Sequence, residues 1–318
     1  MKKHISHQDI RRRELLRSLA VAGVATALPR RGIAADMAEP APAPDRVELQ
    51  RQIDAVPAKL FGAYLRGETA DDTAIRDYPA IARLDATLDK VMKEARATVV
   101  ADKPAVWFVY NMGIVVKTRQ SLFTVDLCHA KAQDFAPEFD FSIITHNHTD
   151  HYTRKFHEEM DRRLHKTVIT NFADNYGAAF HDGICGFARG EKTFTLKDVT
   201  VRTYQLDHNT ILRGFTMPVE IDCGGYTIFH VGDTFNVTEL HPVRNPDLWV
   251  HHCRCWGRET GPGAEHLRPK LTVVAHLHEM QHPFGKARWT FKDGERAKAD
   301  SEKVGVPAVV PFWGDRIV

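Results

Sequence analysis

From residue 46 to about residue 98 the apolar positions recur every three or four residues: Leu49, Ile53, Val56 and Leu60, then Ile81, Leu84, Leu88 and Met92. This is the period of an amphipathic helix with one buried stripe. Gly67 and the pair Asp71-Asp72 interrupt it, so the segment predicts two or three helices in an N-terminal extension. At Ala105 the period changes. Residues 105–110, 114–117, 122–127 and 141–145 are short runs rich in β-branched and aromatic side chains, and they read as strands. Residues 152–164 keep Phe156, Met160 and Leu164 on one helical face, and residues 175–181 predict a helical turn. Strands follow at 168–171, 193–196, 199–206, 215–222 and 226–231, with Cys223-Gly224-Gly225 as a tight turn; 248–251 and 271–275 complete the set. Strands interleaved with helices predict an α/β domain whose sheets are covered by helices.

The chemistry concentrates where the run 141–145 ends. His146-Asn147-His148-Thr149-Asp150-His151 places four metal-ligand side chains in six residues. A strand alternates its side chains, so His146 and His148 fall on one side and can reach one cation. Asp150 and His151 lie further round the turn and can face a second. Later strands also run into ligand-type residues. Residues 199–206 lead to Asp207-His208, 226–231 to Gly232-Asp233-Thr234, and 271–275 to His276. His278 and His282 compete with His276 for the last place, and His276 is preferred because it comes first after its strand. If it is the ligand, Glu279 and His282 become candidates for supporting or substrate-facing roles. The other imidazoles, His157, His165, His230, His241, His251, His252 and His266 among them, show no repeated pattern and read as structural.

The motif HxHxDH, followed by His208, Asp233 and His276 at gaps of 57, 25 and 43 residues, resembles the signature of the metallo-β-lactamase-fold metallohydrolases. The resemblance covers roughly residues 105–285. It implies an αββα sandwich with the site along one edge, here carrying a helical N-terminal extension. It further implies that His146, His148 and His208 hold one metal, that Asp150, His151 and His276 hold a second, and that Asp233 bridges both. Nitrogen and carboxylate ligands without cysteine suit zinc, two ions per chain, with iron or manganese as alternatives. The expected activity is hydrolysis of a small ester, lactone, amide or phosphoester by a metal-bound hydroxide, with Asp150 holding metal and able to accept the nucleophile's proton. Thr145, Thr149, Asp126 and Thr234 are candidates to orient the ligands. The hairpin turn Tyr110-Asn111-Met112-Gly113, together with Tyr152 and Trp256, would line the substrate. Two other classes compete. One is an iron-dependent oxidoreductase or dioxygenase on the same fold, disfavoured because the second motif position is His148 rather than the Glu usual in the diiron members. The other is a non-enzymatic periplasmic metal-binding protein.

The formal charge of +2 on 318 residues hides an asymmetry. Residues 1–35 carry eight Lys/Arg and two Asp/Glu, so the remainder is mildly acidic at −4. Such a surface has no electrostatic footprint for nucleic acid, and the expected partner is a small molecule. Arg12-Arg13-Glu14-Leu15-Leu16-Arg17 fits the twin-arginine export pattern, followed by a weakly apolar run at 18–28 and the small residues Gly32, Ala34 and Ala35. That run is too short to span a bilayer, so no stable membrane anchor is expected. The predicted organisation is a signal peptide at 1–35, which engages the twin-arginine machinery, then a Pro/Ala linker at 36–45, a helical extension at 46–98 and the metal-binding domain at 99–318. The mature protein would then be periplasmic or secreted. Five cysteines without CxxC spacing form neither a disulfide framework nor a zinc ribbon, and they read as small core residues.

Overall fold

The computed structural model describes residues 46–68, 77–171, 192–234, 236–254, 260–283 and 285–318. The expected signal peptide, linker, helical turn at 175–181, Cys185, Cys255 and Trp256 lie outside the described residues. The described residues belong to one compact unit.

Among the described residues the N-terminal periodicity yields three helices: α1 (Arg46–Asp54), α2 (Ala58–Leu65) and α3 (Pro79–Ala97). Pro79 opens α3 where a missing N–H costs nothing. Leu84, Leu88, Val91 and Met92 on α3 are fully buried, each stabilising the packed state by about 1.5–3 kcal/mol. With Leu49, Ile53 and Phe61 they join the main core, so the helices are a layer of that core. Trp107 Nε1 donates to Glu94 at 2.9 Å and pins α3 to the first strand.

That strand, β1 (Ala105–Tyr110), begins a five-stranded sheet with β2 (Gly113–Lys117), β3 (Leu122–Val125), β4 (Phe141–Ile144) and β5 (Thr167–Thr170), in order β1-β2-β3-β4-β5. β1, β2 and β3 are antiparallel neighbours, whereas β3-β4 and β4-β5 are parallel. The second sheet holds β6 (Lys192–Leu196), β7 (Val199–Thr203), β8 (Val219–Cys223), β9 (Tyr226–His230), β10 (Leu248–His252), β11 (Leu271–Ala275) and β12 (Ala308–Val309), in order β12-β11-β10-β9-β8-β7-β6. Pairing is antiparallel from β6 to β9 and parallel from β9 to β12. Val106 and Val115 of the first sheet share one core cluster with Val201, Ile221, Val250 and Val273 of the second, so the sheets face each other.

Between β4 and β5 the chain forms α4 (Arg154–Glu158), continued by one wide turn over Glu159–Arg163. Phe156 and Met160 are buried as their spacing predicts. Two helices, α5 (Thr260–Leu267) and α6 (Phe291–Lys303), were not expected from the pattern. Helix α6 is started by a capping box between Thr290 and Asp293. The expected strand at 215–222 begins only at Val219. Ahead of it Thr216 pairs singly with Leu206, which ends the extended run expected at 199–206. Cys128, Cys223 and Cys253 are buried free thiols, in line with the core reading. Among the described residues no helix is long and apolar enough to cross a membrane.

Candidate metal centre

Strand direction decides where the ligand-type residues gather. Within the first sheet β1, β3, β4 and β5 run the same way; within the second, β7, β9, β10, β11 and β12 do. The residues that follow their C-terminal ends therefore cluster at common edges. They are Asn111 after β1, Asp126 after β3, the motif after β4, His208 beyond β7, Asp233 after β9 and His276 after β11.

All seven expected ligands converge. The ligand atoms of His146, His148, His208 and Asp233 form one group and those of Asp150, His151 and His276 another, within 4.8 Å of one another in each. Asp233 sits between the groups. Its Oδ2 is 3.7 Å from His146 Nε2, 3.4 Å from His208 Nε2 and 3.4 Å from His276 Nε2, while Oδ1 is 3.2 Å from His151 Nε2. Asp150 Oδ2 lies 3.2 Å from His276 Nε2 and 3.7 Å from His151 Nε2. These separations are longer than ordinary charge-assisted hydrogen bonds. They match the roughly 3.3–3.5 Å edge of a tetrahedron whose centre is bonded to N and O at about 2.0–2.2 Å. The buried Nε2 atoms of His146, His151 and His208 have no hydrogen-bond partner, a state that buried polar atoms rarely adopt without a ligand to receive. The donor set and its spacing fit a pair of divalent cations.

These candidate ligands are oriented from behind. Asp126 is fully buried and accepts from Thr145 N (2.7 Å), Thr145 Oγ1 (2.7 Å) and His151 Nδ1 (2.9 Å). Because the Thr145 hydroxyl gives its proton to Asp126, it can only accept from His146 Nδ1, 3.1 Å away. His146 and His151 thus carry their protons on Nδ1 and turn Nε2 towards the centre. Asn111, in the left-handed region at φ 56°, donates from Nδ2 to Asp150 O (3.0 Å) and Asp150 Oδ2 (3.1 Å), while its carbonyl accepts His276 N–H at 2.7 Å. The hairpin turn expected to line the substrate is instead buried and braces the centre. Of the four orienting candidates, Asp126 and Thr145 act so. Thr234 gives its hydroxyl to Val231 O, and Thr149 is exposed.

Charge among these side chains is shared unevenly. Burial alone would raise the carboxyls of Asp150 and Asp233, but the facing imidazoles hold both below the usual range. Burial likewise opposes charge on His276 and His151, yet the two aspartates win: His276 is pushed up to about 10 and His151 well above its ordinary value. His146 goes down through burial and the neighbouring His151, and His148 falls to about 4 through burial and His208.

Two further findings concern residues that the sequence could not sort. His276, not His278, enters the centre. His278 is buried with its ring 3.9 Å from that of Phe291. His252, read as structural, ends β10 beside the site, its ring 4.1 Å from that of His276, and its ligand atom groups with those of Asp233 and His276. Its Nδ1 accepts Arg254 N–H at 3.0 Å, so the neutral ring carries its proton on Nε2. Only the strand-end rule could have found it, and the strand was expected to stop one residue earlier. His157, His230, His251 and His266 are structural as expected, tied to Thr153 O, Met112 O, Thr260 Oγ1 and Leu240 O.

No family model and no curated protein matches the sequence. Among solved structures the chain is similar to Igni18, a metallo hydrolase from the hyperthermophilic archaeon Ignicoccus hospitalis, at 17% identity and TM-score 0.50, over 67% of this chain and 97% of that one. The metallo-β-lactamase fold protein YhfI from Bacillus subtilis aligns at 16% identity and TM-score 0.48, over 67% of this chain and 98% of that one. CmlA, a diiron β-hydroxylase from Streptomyces venezuelae, aligns at 17% identity and TM-score 0.49, over 82% of this chain and 62% of that one. The likeness to Igni18 shows a shared fold alone. Two facing mixed sheets covered by helices, with the ligand-type residues at their edges, are the architecture that the motif implied.

Proposed function

We propose that the protein is a metal-dependent hydrolase acting on a small ester, lactone, amide or phosphoester through two cations, most simply zinc. The observation that carries this reading is the carboxylate of Asp233, with three histidine Nε2 atoms around one oxygen and a fourth on the other at metal-ligand spacing. His146, His148, His208 and Asp233 would hold one ion and Asp150, His151, His276 and Asp233 the other. Bound there, divalent cations supply Lewis acidity and lower the pKa of water towards ~7.

The chain's own residues do the rest. Asp126 and Thr145 keep two imidazoles in the ligating tautomer, and Asn111 fixes Asp150 against His276. Asp150 can accept a proton with the oxygen that Asn111 leaves free. His252 presents an Nε2–H donor to the same space. Nitrogen-rich ligation with His148 in the second motif position favours hydrolysis over diiron redox chemistry. The pattern at Arg12-Arg13 and the apolar run after it support work in the periplasm or outside the cell.

Metal quantitation on the mature protein, alongside His148→Ala and Asp233→Ala, tests the reading. The expected result is about two zinc ions per chain, fewer in both variants, with ester hydrolysis lost in step. A protein that holds one iron and consumes oxygen would overturn it.

A further inference from the structure

Nitrogen by nitrogen, the ligand-type histidines are not equivalent. His146 and His151 each have an acceptor behind Nδ1, the Thr145 hydroxyl and the Asp126 carboxylate, and turn Nε2 to the centre. His208 has the opposite neighbour. Its Nδ1 lies 3.0 Å from Asn209 Nδ2. The sense of that amide is fixed, because Asn209 Oδ1 accepts the backbone N–H groups of Ile211 and Leu212, both at 2.8 Å. An amide NH2 only donates, so His208 Nδ1 must accept, and the neutral ring keeps its proton on Nε2. That nitrogen faces Asp233 Oδ2 at 3.4 Å, inside the candidate centre.

The loop around this pair is closed on itself. His208 N–H donates to Leu212 O (3.0 Å), Gly214 N–H to Asp207 Oδ1 (2.7 Å) and Gln205 Nε2 to Gly214 O (2.9 Å). Reversing the Asn209 amide would set its NH2 against two backbone N–H groups, so the turn must open before the amide oxygen can receive a proton from Nδ1. A cation at His208 Nε2 needs both changes: the ring proton moved to Nδ1 and the turn remade. The Asp150, His151 and His276 group makes no such demand, since Asp126 already sets His151 and Asn111 already holds Asp150. Hydrogen-bond partners behind a ligand typically change metal affinity about ten- to a hundredfold.

We propose that Asn209 holds His208 in the tautomer that cannot ligate, which makes the two cation positions unequal. The position at Asp150, His151 and His276 fills first and tightly; the one at His146, His148 and His208 fills second, weakly and reversibly. This rests on the two-cation reading and deepens it, since hydrolysis that uses both ions then follows the free zinc concentration. Asn209 is a positioning residue, acting through the His208 ring.

Two neighbouring groups do not account for a weak second step. The ligand atoms of Glu279 and His282 lie within 4.8 Å of that of Asp150, but Glu279 is already engaged. Its Oε1 accepts from the Tyr110 hydroxyl and the Gln281 N–H, and its Oε2 from His282 N and Nδ1. Arg288 holds their loop in place, donating to the carbonyls of His282, Met280, Ile53 and Val56. His252, the third neighbour of Asp233 and His276, has its Nδ1 occupied by Arg254 N–H and so also keeps its proton on Nε2.

The test begins with long-range proton–nitrogen spectra of metal-free protein labelled in histidine, at about pH 8, above the ordinary imidazole range. With the ring assigned by His208→Gln, His208 should carry its proton on Nε2 and His146 on Nδ1. On adding zinc, the His151 ring should respond to the first equivalent and the His208 ring to the second, which binds at least about tenfold more weakly. Asn209→Asp, whose carboxylate accepts from both backbone N–H groups and from Nδ1–H, should tighten the second step at least about tenfold and leave the first within about threefold. Asn209→Ala adds no charge and removes the opposing NH2, so it should tighten the second step as well, by at least about threefold. His282→Gln should leave both steps unchanged. A proton on Nδ1 of His208 in the metal-free protein, two zinc ions binding with equal affinity, or a second step that Asn209→Ala leaves unchanged or weakens would overturn the proposal and leave the two-cation reading standing. A single zinc ion at every concentration would overturn both. The spectra of wild type decide the tautomer even if neither variant folds.

Discussion

Asp126→Asn isolates the device that sets the ligands. The side chains are nearly isosteric, and asparagine tolerates the left-handed backbone found at this position, φ 49°, so the change is chemical rather than steric. Asp126 Oδ1 accepts Thr145 N–H, while Oδ2 accepts both the Thr145 hydroxyl and His151 Nδ1–H. An amide offers one accepting atom in place of two. If its oxygen takes the Oδ2 position, its NH2 faces the Thr145 N–H, and a fully buried donor is left unsatisfied at a cost of about 1–3 kcal/mol. If the amide flips, its NH2 points at His151 Nδ1, which can then only accept. The ring proton moves to Nε2, and His151 can no longer ligate. Either geometry weakens the centre, so zinc affinity should fall ten- to a hundredfold, about 1.4–2.8 kcal/mol, and the metal-free protein should lose about 1–3 kcal/mol of stability. Competition with a chromogenic chelator reads the first quantity and urea unfolding with excess chelator reads the second. Asp126→Ala should be worse on stability, because alanine at that φ adds about 1–3 kcal/mol of strain. A zinc affinity for Asp126→Asn within about twofold of wild type would refute the reasoning, since it would mean that His151 needs no acceptor to present Nε2.

Two further outcomes follow from the same geometry. A Cβ on Gly232, at φ 54°, would lie 2.5 Å from Thr145 Oγ1 and 3.0 Å from Thr216 Cγ2, so Gly232→Ala should displace the hydroxyl that orients His146; zinc retained at the wild-type stoichiometry and affinity after dialysis would count against this. The second outcome concerns pH. His276 and His151 have folded values above their unfolded ~6.5, so in the metal-free protein their contribution to stability is full below that value and is lost as pH rises, through about 10 for His276. Metal must displace these protons, so apparent affinity should rise with pH and loading at pH 7 should release at least about one proton, read by calorimetry in buffers of different ionisation enthalpy. Proton-neutral loading would contradict the charge distribution described above.

The elements that were legible from sequence share one property: a local period. Helix α3 and strands β1 to β4 are each set by apolar spacing within a few residues, and their burial follows it. The convergence of the seven ligand-type residues was legible because each follows a strand or sits in one dense motif. What escaped lacked a local signal. Helix α5 (TGPGAEHL) carries two glycines and a proline, and Gly263 is there because a Cβ would lie 2.8 Å from Trp249, a tertiary reason. Helix α6 is polar along much of its length and buries only Phe291, Gly294, Ala297 and Ser301, too few apolar side chains for a stripe. Arg288 could not be picked out among the 43 basic residues, because its five carbonyl partners belong to segments more than 200 residues apart in the chain and to its own loop.

His252 shows why strand direction carries more information here than residue type. An imidazole at the end of a strand is ambiguous until the sense of the strand is known. β10 runs parallel to β9 and β11, so its last residue must arrive between Asp233 and His276, and it does. The same rule accounts for residues that are not metal-ligand types at all. Asn111 ends up on Asp150 because β1 is co-directional with β4, and Asp126 on His151 because β3 is. The ligand-type residues and their supports therefore come from one topological fact, the shared direction of these strands within each sheet. The supports need no sequence motif of their own, because the register of a strand already places whatever follows it. Glu279 and His282 extend this logic one turn beyond β11. Past the strand end direction no longer constrains the chain, and there the structure uses Arg288 and the carbonyls of the N-terminal helices to do so.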